Sequence, residues 1–579
     1  MRYDIVLVSY NSERWIPGCM EALRSVDYDL AQLHVLVADN GSQDGTLPLL
    51  QAEQEKGGFG GFTVLQNGGN LGFGAACNRG ANKGGAPFVF FLNVDTRVDA
   101  GVFRALDEAA QQHPEAGGFE CRQIPCETGH HIDPVSLETP WASGAVFCVR
   151  RTALEQVRGF DEHIFMYCED VDLSWRLRAS GWRLFYVPRA KVTHYCYENG
   201  GPKLSEYAAS FYGNLLLRYK YGSVRDIWNG HKMYLNALMH PVHFDGVRRV
   251  FLKNYLRHFL RLWPFWFWRF QNRDAFSAKV ARFDGGFSPD RGLHVLDPWP
   301  GDEKPLVSVI VRTCARPEVL RGALCSLRNQ TWESLEIVVA EDGEPVSREM
   351  LEQEFSDLNI VYCNDGKRHG RAANGNRGAA MARGEYLNFL DDDDYFYPDH
   401  IELLMTELAR HPQADMVLGS SMALFGTLEQ AKTRLQNMTF DHITLFRMCQ
   451  MNCIPIQTVL FRKNLFEQYG GLEESLDAHE DWSMWLRYWP HAKRIHEQGP
   501  DIRRATSIFV QPATPDGQQA RMDKYRQSNR AFFENEELRF DVTLKQMRDF
   551  YDEMIADMRC LEARGELHDY LEKQANRDR

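Results

Sequence analysis

The stretch NFLDDDDYFYP, residues 388 to 398, sets four aspartates in a row, Asp391, Asp392, Asp393 and Asp394, at the end of an apolar run. Carboxylates at neighbouring Cα positions repel one another, so the run calls for positive charge among them or for full solvation as an acidic turn. Two acidic pairs accompany it: Glu169 and Asp170 in MYCEDVDLSWRLRASGW, and Glu480 and Asp481 in AHEDWSMWLRYWP. Each pair precedes helical spacing of apolar residues, Val171, Leu173, Trp175 and Leu177 in one, Trp482, Met484, Trp485 and Leu486 in the other. Acids at a helix start also complement the helix dipole, so their meaning depends on what surrounds them.

What surrounds them is a repeat. DIVLVSYNSERWIPGCMEALRSV followed by LHVLVADNGSQDGT lies over LVSVIVRTCARPEVLRGALCSLRNQ followed by LEIVVAEDGEP. The correspondence continues with NLGFGAACNRGANKGGAPFVFFLNVDT over GRAANGNRGAAMARGEYLNFLDDDD. Ser9 falls with Thr313, Asp39 with Glu341, Asp95 with Asp393 and Asp170 with Asp481, at an offset of about 300 residues throughout, which means one architecture used twice. The apolar runs at 5–8, 35–37 and 88–92, and again at 307–311, 337–339 and 386–390, are short, β-branched and unalternating. Such runs between helical patterns predict strands of a mostly parallel α/β sheet covered on both faces. Ser9, Asn11, Asp39, Asn93 and Asp95 follow their runs directly, at the carboxyl edge where open α/β sheets bind ligands, and the aspartate run lies on the same edge of its own domain.

Composition frames this. A chain of 579 residues exceeds one hydrophobic core, and 44% hydrophobic with 25% charged residues is ordinary for globular proteins. A net charge of −13 argues against general nucleic-acid binding. Thirteen cysteines without CxxC spacing, and an opening MRYDIVLVSYNSE that enters a strand pattern at once, fit reduced thiols in the cytoplasm. No run approaches the roughly 18–20 apolar residues of a membrane span.

Each half resembles a glycosyltransferase of family 2 with the GT-A fold, over about residues 1–200 and 305–510. In the first, VSYN, VADNGSQDGT, NLGFGAACNRG, FLNVDT, WASGA and the acidic-pair stretch succeed one another as in the rhamnosyltransferase-like branch; RTCARPEVL, EDGE, NRGAAMARGEYLNFLDDDD and AHEDWSMWLR in the second resemble the more general branch. The resemblance implies inverting transfer from a nucleotide-sugar donor, dTDP-rhamnose or a UDP-hexose, with Mn²⁺ or Mg²⁺ offsetting charge on the diphosphate. It implies Asp170 and Asp481 as general bases, Asp95, His194, Asp391 and Asp393 as metal ligands, and Trp141, Glu169 and Glu480 on the acceptor side. Ser9, Asn11, Asp39, Asn78 and Asn93, with Thr313, Arg316, Glu341, Asn376 and Asp391, are the implied donor contacts. Asp392 and Asp394 need not be ligands. Asn93 in place of an acid implies weaker metal binding in the first domain, and Glu341 in place of the usual Asp implies a side chain that reaches farther, with a differently seated nucleotide.

The expected domains are 1–204 and 305–515, joined by a helical segment at 205–283 and a Gly-, Pro- and Asp-rich linker at 284–304, with a helical region at 516–579. Residues 246–273 hold Arg248, Arg249, Lys253, Arg257, Arg261, Arg269 and Arg273 and no acid, interleaved with Trp263, Trp266 and Trp268. Basic and aromatic residues on an amphipathic stretch fit either the inner face of an anionic membrane, as a peripheral contact, or a subdomain whose arginines face acids elsewhere. Phe540, Leu544, Met547, Tyr551, Met554, Met558 and Leu561 follow a heptad seam that would pair two chains or pack on the second domain. Two sites in one chain imply a bifunctional enzyme extending a lipid-linked cell-wall or surface polysaccharide. The alternatives are one active domain with a glycan-binding partner, or a non-catalytic carbohydrate-binding scaffold.

Overall fold

A computed structural model describes residues 2–195, 204–240, 246–272, 283, 290–301, 303–428, 435–438, 443–476, 478–495, 500–534 and 544–563. The chain forms two compact units, Met1–Leu296 and Asp297–Arg579, which divide inside the segment expected as a linker. Part of that segment is not free: bridges of Cys126 with Val295 and of His130 with Asp290 hold residues 290–295 on the first unit.

The first unit is built on strands β1 Tyr3–Ser9, β2 Leu33–Asp39, β3 Gly61–Gln66, β4 Phe88–Asn93, β5 Thr96–Val98, β6 Ala116–Ile124, β7 Val146–Arg150 and β8 Arg183–His194. They lie in the order 3-2-1-4-7-6-8-5. The second unit has β9 Val307–Thr313, β10 Leu335–Glu341, β11 Ile360–Cys363, β12 Tyr386–Asp391, β13 Tyr395–Phe396, β14 Met416–Phe425, β15 Leu435–Met438, β16 Val459–Arg462 and β17 Ile502–Gln511. Their order is 11-10-9-12-16-14-17-13, with β15 beside β14. The duplication read from the sequence is thus a duplication of topology, two α/β units with mostly parallel sheets as expected of the GT-A class.

The unalternating runs are buried on both faces because helices cover both. In β1, Tyr3, Ile5 and Leu7 join one core cluster with Val35 and Phe90, while Val6 joins a second with Leu36, Phe91 and Leu173. Polar groups therefore emerge only where the strands end.

The helical segment, Leu204–Tyr221, Val224–Met239 and Val247–Gln271, belongs to the first unit. Leu215, Tyr234, Val247, Phe251 and Phe265 pack with Val171 and Trp175 of the helix Glu169–Ala179. Buried Lys220 reinforces that joint, reaching Asp161 and Asp172 at 2.6 Å each. Of the heptad seam, Phe540 lies outside the described residues. Leu544, Met547 and Tyr551 are exposed on the helix Leu544–Ala563, which packs on Phe446 through Phe550.

Candidate active sites at the two carboxyl edges

In the second unit the strand ends align through register, Thr313 opposite Glu341 and Arg312 opposite Asp391. The four aspartates do have positive charge among them, and it comes from β9 and the turn after it. Buried Arg312 donates from Nε to Asp391 Oδ1 at 2.6 Å and from Nη1 to Glu480 Oε1 at 2.9 Å. Arg371 reaches the other oxygen of Glu480 at 2.7 Å. Arg316 engages both oxygens of Asp392 and approaches Asp393 at 3.5 Å. Thr313 Oγ1 donates to Asp392 at 2.7 Å, and Asp394 accepts the Val510 N–H at 2.8 Å.

The run therefore splits. Asp392 and Asp394 turn inward as framework, whereas Asp391 and Asp393 line a cavity of about 880 Å³ with Arg312, Arg371, Glu480 and Asp481. Burial pushes Asp392 up to about 6 and, with Asp393 and Asp391 adding to it, lifts Asp394 well above the carboxylate range. Burial acts the same way on Asp391, but the Arg312 guanidinium outweighs it and holds that carboxyl below its ordinary value. Asp481 is pushed up to about 7, by burial first and Glu480 next, against Arg312 and the Asn452 amide that donates to it at 3.1 Å.

Both acidic pairs are turned into position in the same way. The residue before each helix is left-handed, Cys168 at φ +71° and His479 at φ +67°. Such a conformation is uncommon for side chains with a Cβ and is held by surrounding structure.

The first unit repeats the pair with different company. Asp170 accepts the Gly144 N–H at 3.0 Å, and its neighbour Ser143 donates to Glu120 at 3.0 Å, so the WASGA loop is pinned by two acids. Asp170 is raised, burial being the main cause; buried Glu169 is raised well above its range by burial and by Asp170, and its Oε2 has no hydrogen-bond partner. Among the described residues no arginine here takes the part of Arg312 or Arg371, whose counterparts are Val8 and Phe73.

At the end of β8, His194 faces Asp95 at 3.5 Å, and its Nδ1 meets Gln123 Oε1 at 2.8 Å. Because an amide oxygen only accepts, Nδ1 carries the proton and Nε2 is the atom turned to the carboxylate. Among the described residues no group of three or more His, Cys, Asp or Glu side chains is gathered to hold a metal ion, so His194 and Asp95 offer two donors toward a divalent ion. In the second unit the register of β13 with β17, Tyr395 opposite Ile508, puts Phe509 where His194 stands. There Asp391 is paired with Arg312, and half-exposed Asp393, 3.5 Å from Arg316, is the less engaged carboxylate.

Other expected donor contacts also have partners within the protein. Asn78 donates to Phe160 O and Glu162 and accepts the Phe160 N–H; Asn376 does the same with Leu472 and Glu474. With both ends of the amide taken, each asparagine fastens the loop leading to its acidic pair. Glu341 is held by Ser347 at 2.8 Å and Tyr362 at 2.5 Å, so its extra length serves the interior. Ser9 donates to Asp39 at 2.9 Å, Asp39 caps the Gly41 and Ser42 amides at 3.0 Å, and Asn11 accepts the Gln43 N–H at 2.8 Å, which shapes the loop after β2. The Asn93 N–H is bound to Ala145 O, and Trp141 lies against His130 with ring centroids 4.4 Å apart.

Residues 4–157 and 308–470 match the family described as glycosyl transferase family 2, and residues 107–211 match glycosyltransferase like family 2. The chain belongs to glycosyl transferase family 2. Among curated relatives, the N-acetylglucosaminyl-diphospho-decaprenol L-rhamnosyltransferase of Mycobacterium tuberculosis is 35% identical over 207 residues, 28% of this chain and 66% of the relative. The rhamnosyltransferase WbbL of Escherichia coli is 32% identical over 102 residues, 17% of this chain and 38% of its own. The match thus spans at most about two thirds of these relatives' length. Of solved structures, TarS 1–349 of S. aureus with UDP-GlcNAc is similar at a TM-score of 0.34 and 14% identity, over 45% of this chain and 82% of that one. The mannosyltransferase PcManGT of Pyrobaculum calidifontis with GDP-Man and Mn²⁺ is similar at 0.32 and 16%, over 48% and 77%.

Within this family 2 chain, sequence reasoning missed several groups at the sites. Glu120 and its partner His130, 2.9 Å apart and buried, stand beneath the WASGA loop; the signal was an acid inside the apolar strand GGFECRQI. Arg521 and Lys524, from the helix Pro515–Glu534, add cations to the wall of the second cavity, and RMDKYR alone did not distinguish them from a solvated face.

Proposed function

We propose that this chain is a bifunctional inverting glycosyltransferase that moves sugars from nucleotide donors to a lipid-linked glycan, one linkage formed at each carboxyl edge. The observation that carries the reading is the twice-built acidic pair, buried at a left-handed helix start beside a strand-end acid.

Asp481 is the base of the second site. With its carboxyl raised to about 7, it is charged in part at neutral pH yet basic enough to take the proton of an acceptor hydroxyl as the bond to the anomeric carbon forms. Glu480, locked by Arg312 and Arg371, cannot swing to compete and instead fixes the helix start. Arg371, Arg521 and Lys524 supply positive charge on the cavity wall for the departing diphosphate. In the first site Asp170 is the base, its other contacts fixing the WASGA loop, and Asp95 with His194 would hold the divalent cation. That cation, when bound, neutralises charge on the diphosphate. Membership of family 2 supports a single displacement with inversion at the anomeric carbon.

The relatives' names support rhamnose as the first sugar and a diphospho-lipid acceptor. A second reading, a single active domain, is favoured by the unequal charge of the two sites: Glu169 lacks the arginines that hold Glu480. The test is to replace Asp170 and Asp481 by Asn separately and analyse products from lipid-linked acceptors and a panel of sugar nucleotides. Loss of a different linkage in each supports two sites; loss of all product in one and of none in the other establishes one.

A further inference from the structure

The helices Val224–Met239 and Val247–Gln271 turn one face into the core of the first unit and leave a second apolar face outside. On the longer helix, Val247, Phe251 and Phe265 point inward, while Leu252, Leu256, Phe259, Trp263, Phe267 and Phe270 recur every three or four residues on the solvent side, Trp263 at 76% exposure. Next to that stripe runs a row of exposed cations, Lys253, Arg257 and Arg261, four residues apart. Among the described residues no carboxylate pairs with these three. The shorter helix repeats the plan: Val224, Trp228, Leu235 and Met239 share an outer face, with Lys232 over the Trp228 ring at 5.7 Å. Arg273 lies outside the described residues.

We infer that these two helices form a docking surface for the headgroup layer of an anionic lipid bilayer. An apolar stripe on one side of a helix with a cationic row beside it inserts rings to headgroup depth and sets the cations against lipid phosphates. Charge favours this occupant. A chain of net charge −13 is repelled by an anionic surface everywhere except where cations are gathered without acids, and residues 246–273 are such a place. A second copy of the same chain would set like charges against like. No described helix is long and apolar enough to cross a bilayer, so the contact is peripheral. Through Trp175 and the Lys220 to Asp172 pair, the surface is rigidly joined to the helix that carries Asp170. It would hold the first site close to where a lipid-linked acceptor lies. This last point rests on the proposed function, whereas the docking itself does not.

The full chain is sedimented with phosphatidylcholine vesicles, with and without phosphatidylglycerol. Binding is expected only with the anionic lipid and should weaken as salt rises. Since each cation near such a surface is worth roughly fivefold in partition, Lys253→Glu with Arg257→Glu and Arg261→Glu should reduce it by on the order of 100-fold or more. Trp263→Ser with Phe267→Ser should reduce it as well, with the melting temperature unchanged in both variants. Transfer to a water-soluble acceptor should persist, so a failure of docking and a failure of the catalytic reading are read separately. Equal binding to both vesicle types, no binding to either at low salt, or a variant that binds as the parent does overturns the inference. So does a halved mass of the charge-reversal variant in lipid-free solution, which would make the face a contact between two copies.

Discussion

The two acidic pairs differ less in their own residues than in what neutralises them. Around Glu480 and Asp481 the protein supplies its own cations, Arg312 and Arg371, and the same Arg312 also holds Asp391. Around Glu169 and Asp170 none is found among the described residues, and Val8 and Phe73 stand at the corresponding positions. The first site has a histidine facing its strand-end acid, whereas the second has Phe509 there. One edge is charge-balanced from within, and the other, in the proposed function, would take its balance from a bound cation. A duplicated scaffold has kept its acidic pair and one strand-end acid, Asp95 and Asp393, and changed the charges around them.

The largest expected effect comes from the bases. Asp481→Asn and Asp170→Asn should each lower formation of one linkage by about 10²–10⁴-fold and leave the other within a fewfold, read from product linkage analysis. If both substitutions abolish the same linkage, the two sites are not independent.

Arg312→Met comes next. It strips a buried cation from buried Glu480 and half-buried Asp391, and breaking such a pair costs about 3–5 kcal/mol of stability, measurable by denaturant unfolding. The pH profile sharpens the point. The folded value of Asp481, about 7, lies above its ordinary 3.8, so the folded state keeps a proton that the unfolded chain has released. Stability from this group is therefore greatest at acid pH, falls as pH rises from 3.8 to about 7 and is level above that. Activity runs the opposite way, rising through pH 7 as the base ionises. Since Arg312 draws Asp481 downward, Arg312→Met should move the break in the second linkage's profile above 7 and leave the first linkage's profile where it was. An unmoved break would detach Arg312 from the base.

The comparison extends to metal. Gln123→Leu removes the acceptor that orients His194, and loss of such a partner raises the Mn²⁺ concentration needed by about 10–100-fold. Only the first linkage should respond, followed by titrating metal into the assay, because Phe509 gives the second site no such ligand.

The duplicated α/β fold and the positions of the acids were legible because they rest on local pattern: unalternating runs force strands, and polar residues can emerge only at their ends. Which charges balance them was not legible, because that depends on register. Arg312 sits one residue before Thr313 in VRTCARP and reads as one more residue of a strand, and only its pairing opposite Asp391 gives it a role. The asparagines of the two NRG stretches, which stand on the helices Phe73–Ala81 and Arg371–Met381, hid their hydrogen-bond role for a related reason. Their partners, Phe160 and Leu472, are some 80 to 100 residues away in sequence, beyond any local signal. Glu120 was hidden likewise, since its partners, His130 and the Ser143 amide, are assembled by the sheet.

The smallest and most diagnostic effect concerns the room that Arg312 needs. A Cβ on Gly375 would lie 3.0 Å from Arg312 Cδ and 2.8 Å from Leu472 Cδ1, and the corresponding residue of the first unit is Cys77, beside Val8. Small residue with large cation, or larger residue with valine, are two solutions to one volume. Gly375→Cys should cost about 1–3 kcal/mol by crowding and reduce the second linkage severalfold as Arg312 is displaced. Combining it with Arg312→Val imports the first unit's solution. The double variant should then pack better than the sum of its single changes, a coupling that a double-mutant cycle measures, while Glu480 and Asp391 lose Arg312. Its second linkage should consequently demand more divalent metal than the parent's. Additive stabilities would mean that the two positions do not share the space between them; restored packing with no added demand for metal would mean that Arg312 fills volume and balances no charge that matters to transfer.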